Sequence, residues 1–285
     1  MFNFFKGFIG ELELKLIDDF SNKVRDFIND LFEKIKKDKD DGVKEIEASS
    51  GNYSQQASSG DNSKQASSGD YSKHEVTGNN SIAFACGRNS IIKAKKGTWI
   101  ALAEYTTDGQ GYYIPDFAIS AQIGNKDYKD AKGRVLKENE FYILHNKKIY
   151  PVDVSDGIST IKISEKVRDG ITIIKGLAFC DDEVYLVKQD DLAAHGKTLR
   201  EALEDLQFKK IKSKEIEDIV KEIKESGKVT RAQYRAITGA CSFGTEQFCK
   251  QHGIENLEEI ELEELRKILV NDYGAEKFWK LIDEK

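Results

Sequence analysis

Cysteine is sparse and unpatterned. The four thiols, Cys86, Cys180, Cys241 and Cys249, are scattered and lack the paired spacing of a disulfide framework or a zinc knuckle. A reducing cytoplasm is the simplest setting. An excess of basic charge is missing too. A formal net charge of −6 argues against general affinity for nucleic-acid backbones, where a basic face is the usual footprint. An acidic protein can still block a basic nucleic-acid channel on another protein. Long apolar runs are also lacking. The opening stretch MFNFFKGFIGELELK is interrupted by Glu11 and Glu13 before a secretory core forms, and no small-residue cleavage site follows. Elsewhere no run approaches the roughly 20 apolar residues of a membrane span.

What is present is a repeat. From Ala48 the chain reads ASSGNYSQQ, ASSGDNSKQ, ASSGDYSKH, EVTGNNSIA, FACGRNSII and then KAKKGTWI, with the repeat taken to end at residue 97. Gly51, Gly60, Gly69, Gly78 and Gly87 keep this nine-residue period, as do Ser54, Ser63, Ser72, Ser81 and Ser90. A fixed period predicts a stack, because each unit is too small to bury a core alone. Glycine is expected to supply the tight or left-handed backbone of each corner, and serine to bond neighbouring backbone or the serine above it. Early units are almost wholly Ser, Ala and Gln, whereas Ile82, Phe84, Ile91 and Ile92 make the last ones apolar. The expected stack is therefore slender and exposed at its start and docked on a globular part at its end. A flexible Ser/Gly linker over residues 48–75 is the alternative. Calcium-binding nonapeptide rolls need a Gly-Gly pair and a regular Asp in each unit, and neither is kept here.

Ahead of the repeat, residues 4–38 carry an apolar stripe at spacings of three and four, from Phe5, Ile9 and Leu12 to Leu31 and Ile35. This predicts one amphipathic helix. Self-association is the first reading, packing on the chain's own later domain the second, and a membrane-surface helix the third. Acids and bases balance on its polar face, which disfavours an anionic membrane. A charged hinge, KKDKDDGVKEIE, follows at residues 36–47.

Behind the repeat, runs such as GTWIALAEY, FYILHNKKIYPVD, GITIIKGLAF and EVYLVKQ predict a five- or six-stranded antiparallel sheet. HGKTLREALEDLQFKKI then predicts a helix, with Thr198 and Glu201 as a capping box. Residues 213–285 are expected to be helical throughout: one helix from Ser213 to Gly227, a second capped by Thr230 with Gln233, a third capped by Thr245, and two more. Its expected core includes Ile216, Ile219, Ile223, Tyr234, Ile237, Phe243, Phe248, Leu265, Leu269, Phe278 and Ile282. The fold class is thus α+β in several parts: a helix over 1–47, a β-roll over 48–97, an α+β domain over 98–212 and a helical domain over 213–285.

Three motifs bear on chemistry. His195, Lys197 and Thr198 lie in a Gly-Lys-Thr helix start, the place where phosphate loops put a cation and a hydroxyl. The pattern needs a glycine where Asp191 stands, so polar residues at a capped helix start are the simpler reading. Cys241, Cys249 and His252 lie close in sequence. Cys249 and His252 share a helix face and can reach one metal or act as nucleophile and base, yet free helical cysteines are usually small buried hydrophobes. Finally, RAQYRAITGACSFGTEQFCKQHG has the helix, turn, helix outline of a DNA reader, but its surroundings are acidic, and packing of a small helical domain is preferred. No catalytic residue, cofactor or metal ligand is assigned; these six side chains are candidates for ligand or partner contact.

Two resemblances add context. The segment GNNSIAFACGRNS resembles the left-handed parallel β-roll heads of trimeric autotransporter adhesins, which repeat Gly-x-x-Ser-x-Ala in longer units. The order of parts over residues 48 to about 253, from the Ala-Ser-Ser-Gly-Asp-Tyr-Ser units through HGKTLREALEDL to YRAITGACSFGTEQF, resembles bacteriophage and prophage proteins of unassigned function. The second resemblance implies a phage or mobile-element context. Unpaired columns on the roll and the stripe on the helix make a homotrimer the most economical assembly. The leading expectation is a non-enzymatic interaction protein, in the host cytoplasm, that inhibits a host protein such as a defence complex. A structural or adhesive virion component is the alternative. A nucleotide-binding enzyme using His195, Lys197 and Cys241 stands third. Nucleic acid is not an expected partner.

Overall fold

The computed structural model describes residues 46–178 and 182–284. The helix expected at 4–38 and the thiol of Cys180 lie outside these residues. The chain divides into two compact units, Met1–Asp153 and Val154–Lys285.

The repeat is a parallel β-roll. Each nine-residue unit gives one four-residue strand: β1 (Ile46–Ser49), β2 (Gln55–Ser58), β3 (Lys64–Ser67), β4 (Lys73–Val76), β5 (Ile82–Ala85) and β6 (Ile91–Ala94). Two units complete one coil, so odd strands stack on one face and even strands on the other. Ile46 sits opposite Lys64, Lys64 opposite Ile82, Gln55 opposite Lys73 and Lys73 opposite Ile91. Residues 48–75 are therefore ordered rungs, not a flexible linker.

The glycine column does not make the left-handed corners. Those belong to the residue two places on: Tyr53, Asn62, Tyr71, Asn80 and Asn89 have φ between 53° and 60°. Asparagine tolerates this region best among residues with a side chain. Tyr53 and Tyr71 stack at 5.1 Å. The glycines answer a different demand. A Cβ at Gly69, Gly78 or Gly87 would overlap the carbonyl of Gly51, Gly60 or Gly69 in the preceding coil.

Serine does what its position suggests. Ser72 Oγ donates to Gly69 O at 2.7 Å within its own corner, while Ser81 and Ser90 Oγ accept from the backbone N–H of Ser63 and Ser72 one coil back, at 3.1 and 3.0 Å. The Asp carboxylates follow the same rule. Asp61 and Asp70 accept from the N–H of Asn79 and Arg88 in the next coil, at 2.8 and 2.9 Å, so these oxygens tie coils together.

The interior changes along the roll. Gln56, Ser58, Gln65, Ser67 and His74 fill the early coils, and Ala83, Ala85, Ile92 and Ala94 the later ones, all buried. The stack then grades into an antiparallel fold. β7 (Trp99–Thr107) starts as another rung, with Trp99 opposite Ile82, and continues antiparallel to β8 (Tyr113–Gln122). The hairpin β9 (Phe141–His145) and β10 (Lys148–Asp153) joins the other face through Ile92 opposite Tyr142. The antiparallel strands thus do not form one sheet of their own. A roll face has unpaired backbone at its last rung, and strands that cover it satisfy those groups. Ile100, Leu102, Leu136, Tyr142 and Ile149 close the core here.

In the second unit, β11 (Thr160–Arg168), β12 (Ile171–Ala178), β13 (Glu183–Gln189) and β14 (Leu192–Gly196) form an antiparallel meander. Helix α1 (Leu199–Lys212) lays Ala202 and Leu206 on Val187 and Ala194. Then come α2 (Ile216–Ser226), β15 (Lys228–Thr230), α3 (Arg231–Thr238), α4 (Ser242–Gln251), β16 (Glu259–Glu261), α5 (Leu262–Ile268) and α6 (Ala275–Asp283). Their core is Ile219, Ile223, Val229, Ile237, Leu265, Leu269, Phe278 and Ile282.

Several local expectations need correction. The region is not wholly helical, because β15 pairs antiparallel with β16. Ser213 ends α1 instead of starting a helix, and Glu215 precedes α2. The N-cap of α4 is Cys241, not Thr245, which lies buried and donates its hydroxyl to Cys241 O at 2.9 Å. Ile216 and Phe243 are exposed because both sit in a first helical turn that points away from the core. The capping boxes at Thr198 and Thr230 are present as expected. Among the described residues no helix is long and apolar enough to cross a membrane.

Candidate functional site

The Gly-Lys-Thr segment is a strand end running into a helix. Gly196 pairs with Tyr185 in the sheet, and a Cβ there would overlap the Ala202 backbone, so glycine is required for close packing of α1 on β14. Thr198 Oγ1 accepts from the N–H of Glu201 at 3.2 Å, and Glu201 Oε2 accepts from the N–H of Lys197 at 2.8 Å. The amides of Lys197, Thr198, Glu201 and Ala202 are thus engaged within the chain, as a capped helix start requires. The exposed Lys197 side chain is left to solvent. Thr198→Ala is expected to cost about 1 kcal/mol of stability through the lost cap. Lys197→Ala is expected to stay within about 0.5 kcal/mol of the parent. Urea denaturation of both variants checks this, and a reversed ranking would mean that the Thr198 cap does not hold the helix start.

His195 has partners that no sequence motif announces. Its Nε2 lies 2.8 Å from Thr160 Oγ1, and its Nδ1 lies 3.3 Å from Asp156 Oδ2. Lys209 Nζ donates to Asp156 Oδ1 and, at 2.7 Å, to Ala193 O. Burial alone would raise the Asp156 carboxyl, but its hydrogen bonds to Lys209 and His195 and their charges outweigh it and hold the group below the usual range. Carboxylate, imidazole and hydroxyl stand in the order of a nucleophilic triad. Thr160, however, is 0% exposed at the head of β11, so its hydroxyl meets no external substrate. The arrangement fastens the turn 155–157 and α1 to the sheet. Asp156, Thr160 and Lys209 are too distant from His195 in sequence for any spacing rule to have linked them.

Cys241, Cys249 and His252 are not gathered at one point. Cys241 Sγ accepts from the N–H of Gly244 at 3.3 Å as the cap of α4. Cys249 is buried two turns further along the same helix, and burial pushes its thiol up, away from the reactive thiolate. His252 lies against the Phe248 ring at 4.5 Å. Among the described residues no group of three or more His, Cys, Asp or Glu side chains can hold a metal ion.

What the helices and β15–β16 do enclose is a cleft of about 470 Å³. Val229, Leu265, Leu269 and Cys249 floor it, with Tyr234, Phe248 and Ile260 as walls. The walls are pinned. Tyr234 donates its hydroxyl to Tyr273 O, and Trp279 Nε1–H donates to Leu269 O at 3.0 Å. The one arginine at the cleft, Arg231, is spent internally on Glu204 and on the carbonyls of residues 254, 255 and 257. Glu259 is tied to Lys228 at 2.6 Å. Burial, followed by the charge of Asp272, pushes the Tyr234 phenol up to about 12. The arrangement can bind an apolar group; it presents no activated nucleophile or base.

Comparison of the chain with protein-family models, with curated proteins and with solved structures returns no match.

Proposed function

We propose that this chain is a non-enzymatic interaction protein of phage or prophage origin that binds a host protein, such as a component of a defence complex, in the host cytoplasm. The observation that carries the reading is the pinned apolar cleft of the second unit, whose lining can bind but has nothing poised to react. The acidic balance and the resemblance of residues 48 to about 253 to phage and prophage proteins support it further. Self-association through the stripe at residues 4–38 belongs to the same proposal.

The roll favours a second reading, a structural or adhesive virion component. Its coils are joined by backbone ladders and serine columns, and among the described residues β1 and β2 each pair on one side only. One experiment separates the two. Tagged full-length chain is recovered from infected cells while purified particles are probed for it. A stoichiometric host protein with empty particles supports the interaction reading. Chain built into the particles, with no host protein retained, sinks it.

A further inference from the structure

The mouth of the cleft in the second unit has a chemistry of its own. Its apolar lining does not end at the opening but continues onto Leu257, 46% exposed, and Tyr273, 73% exposed. An occupant that covers this surface extends beyond the cleft, as a polypeptide does and a compact small molecule does not. The volume lies within the roughly 300–1,000 Å³ usual for sites that bury a ligand.

Charge selects the kind of polypeptide. Two carboxylates on the rim, Glu258 and Asp272, are exposed, and the structure gives neither an ion-pair partner. The arginine and the third rim carboxylate are already paired, as described above. The rim therefore offers uncompensated negative charge beside apolar surface. A second copy of this chain would bring its own net charge of −6 to that rim, which disfavours it as the occupant.

We infer that the cleft receives a basic amphipathic segment of a partner protein, with apolar side chains between Phe248, Ile260 and Leu257 and a lysine or arginine against Glu258 and Asp272. This rests on the interaction reading and states the chemistry of the partner. Helix-in-groove recognition works this way: apolar anchors supply the affinity and flanking charges the choice of partner.

The test uses the full chain and two fluorescein-labelled helical peptides of identical spacing, one of leucine and lysine, the other of leucine and glutamate, followed by fluorescence polarisation. The lysine peptide is expected to bind saturably and the glutamate peptide not to bind. The double variant Glu258→Gln/Asp272→Asn, which keeps side-chain shape on an exposed rim, is expected to weaken the lysine peptide about tenfold. Leu257→Ser is expected to weaken it as well, and serves if the double variant does not fold. Equal affinity for both peptides, no binding of either, or affinity unchanged in the variants overturns the inference. So does displacement by a peptide of residues 4–38, which would make the occupant internal, or a dimer in light scattering that the double variant abolishes. In the pull-down, a host protein retained equally by the double variant removes the cleft from the account but leaves the interaction reading standing. Wild-type chain that retains nothing removes the interaction reading itself.

Discussion

Gly78→Ala is expected to unfold the β-roll locally and to lower its stability by about 3 kcal/mol, although alanine for glycine is ordinarily among the mildest of changes. The reason is position, not backbone conformation. Gly78 does not adopt a left-handed backbone, but the Cβ it lacks would lie inside the Gly60 carbonyl of the preceding coil. That neighbour is backbone held in a parallel ladder and cannot swing aside, so relief means parting two coils and losing the hydrogen bonds between them. The repeat supplies its own control. At Gly51 the same added carbon meets, among the described residues, only Ser54 Oγ at 3.7 Å and Ser49 Oγ at 3.9 Å, which is ordinary contact. Gly51→Ala is therefore expected to change stability by no more than about 0.5 kcal/mol. Urea denaturation of the two variants, followed by circular dichroism, decides the matter. Equal effects would mean that the glycine column serves the corner and not the stacking.

The second large effect is a pH dependence centred on His74. This side chain is fully buried inside the early coils, its Nε2 is 2.7 Å from Ser67 Oγ, and its Nδ1 has no partner among the described residues. Burial pushes its pKa down from 6.5 to about 4. Between these values the unfolded chain carries a proton on His74 that the folded chain refuses. Stability therefore rises with pH across this window: the contribution is fully present above about 6.5 and is lost as pH falls towards 4. One pKa unit corresponds to about 1.4 kcal/mol, so the swing is about 3 kcal/mol. His74→Gln, neutral at every pH and matched to the polar interior formed with Gln56 and Gln65, is expected to flatten the curve between pH 6.5 and 4. Denaturation midpoints collected across that range check it. A slope that survives in His74→Gln would assign the effect to other groups. Asp156, whose carboxyl is held below its usual range, loses its contribution only at still lower pH and so does not mask the window.

These two cases show where sequence reasoning reached and where it stopped. The stack was legible because Gly and Ser recur every nine residues, and the drift from Gln and Ser to Ile foretold a polar start and an apolar end. That two units make one coil was not legible. A period reports how often a local conformation recurs but not how many recurrences close a turn, which depends on opposed strands meeting through their side chains. The same limit explains the glycines, whose clash partner lies eighteen residues back, between Gly60 and Gly78. Capping boxes at Thr198 and Thr230 were readable because cap and partner are three residues apart. The neighbours of His195 were not, since a strand pairing and a helix packing bring them together.

The cleft divides in the same way. The acidic run ENLEEIELEE and the apolar periodicity of the surrounding helices are visible in the chain. Nothing in the one-dimensional pattern indicated that Glu258 and Asp272 would stand at one mouth, or that Arg231 would be turned away from it. By itself the sequence determined what short-range rules control: the nine-residue rung, the two capping boxes, the glycine stop at Gly227, and a class of α+β with a stacked start. Tertiary structure decided what depends on distant segments meeting: coil closure, the burial of His74 and Thr160, and a cleft whose charge and apolar surface come from separate elements. The physical reason is range. Dihedral preference and local hydrogen bonding act within a few residues, whereas burial and charge environment are set by neighbours the chain reaches only by folding.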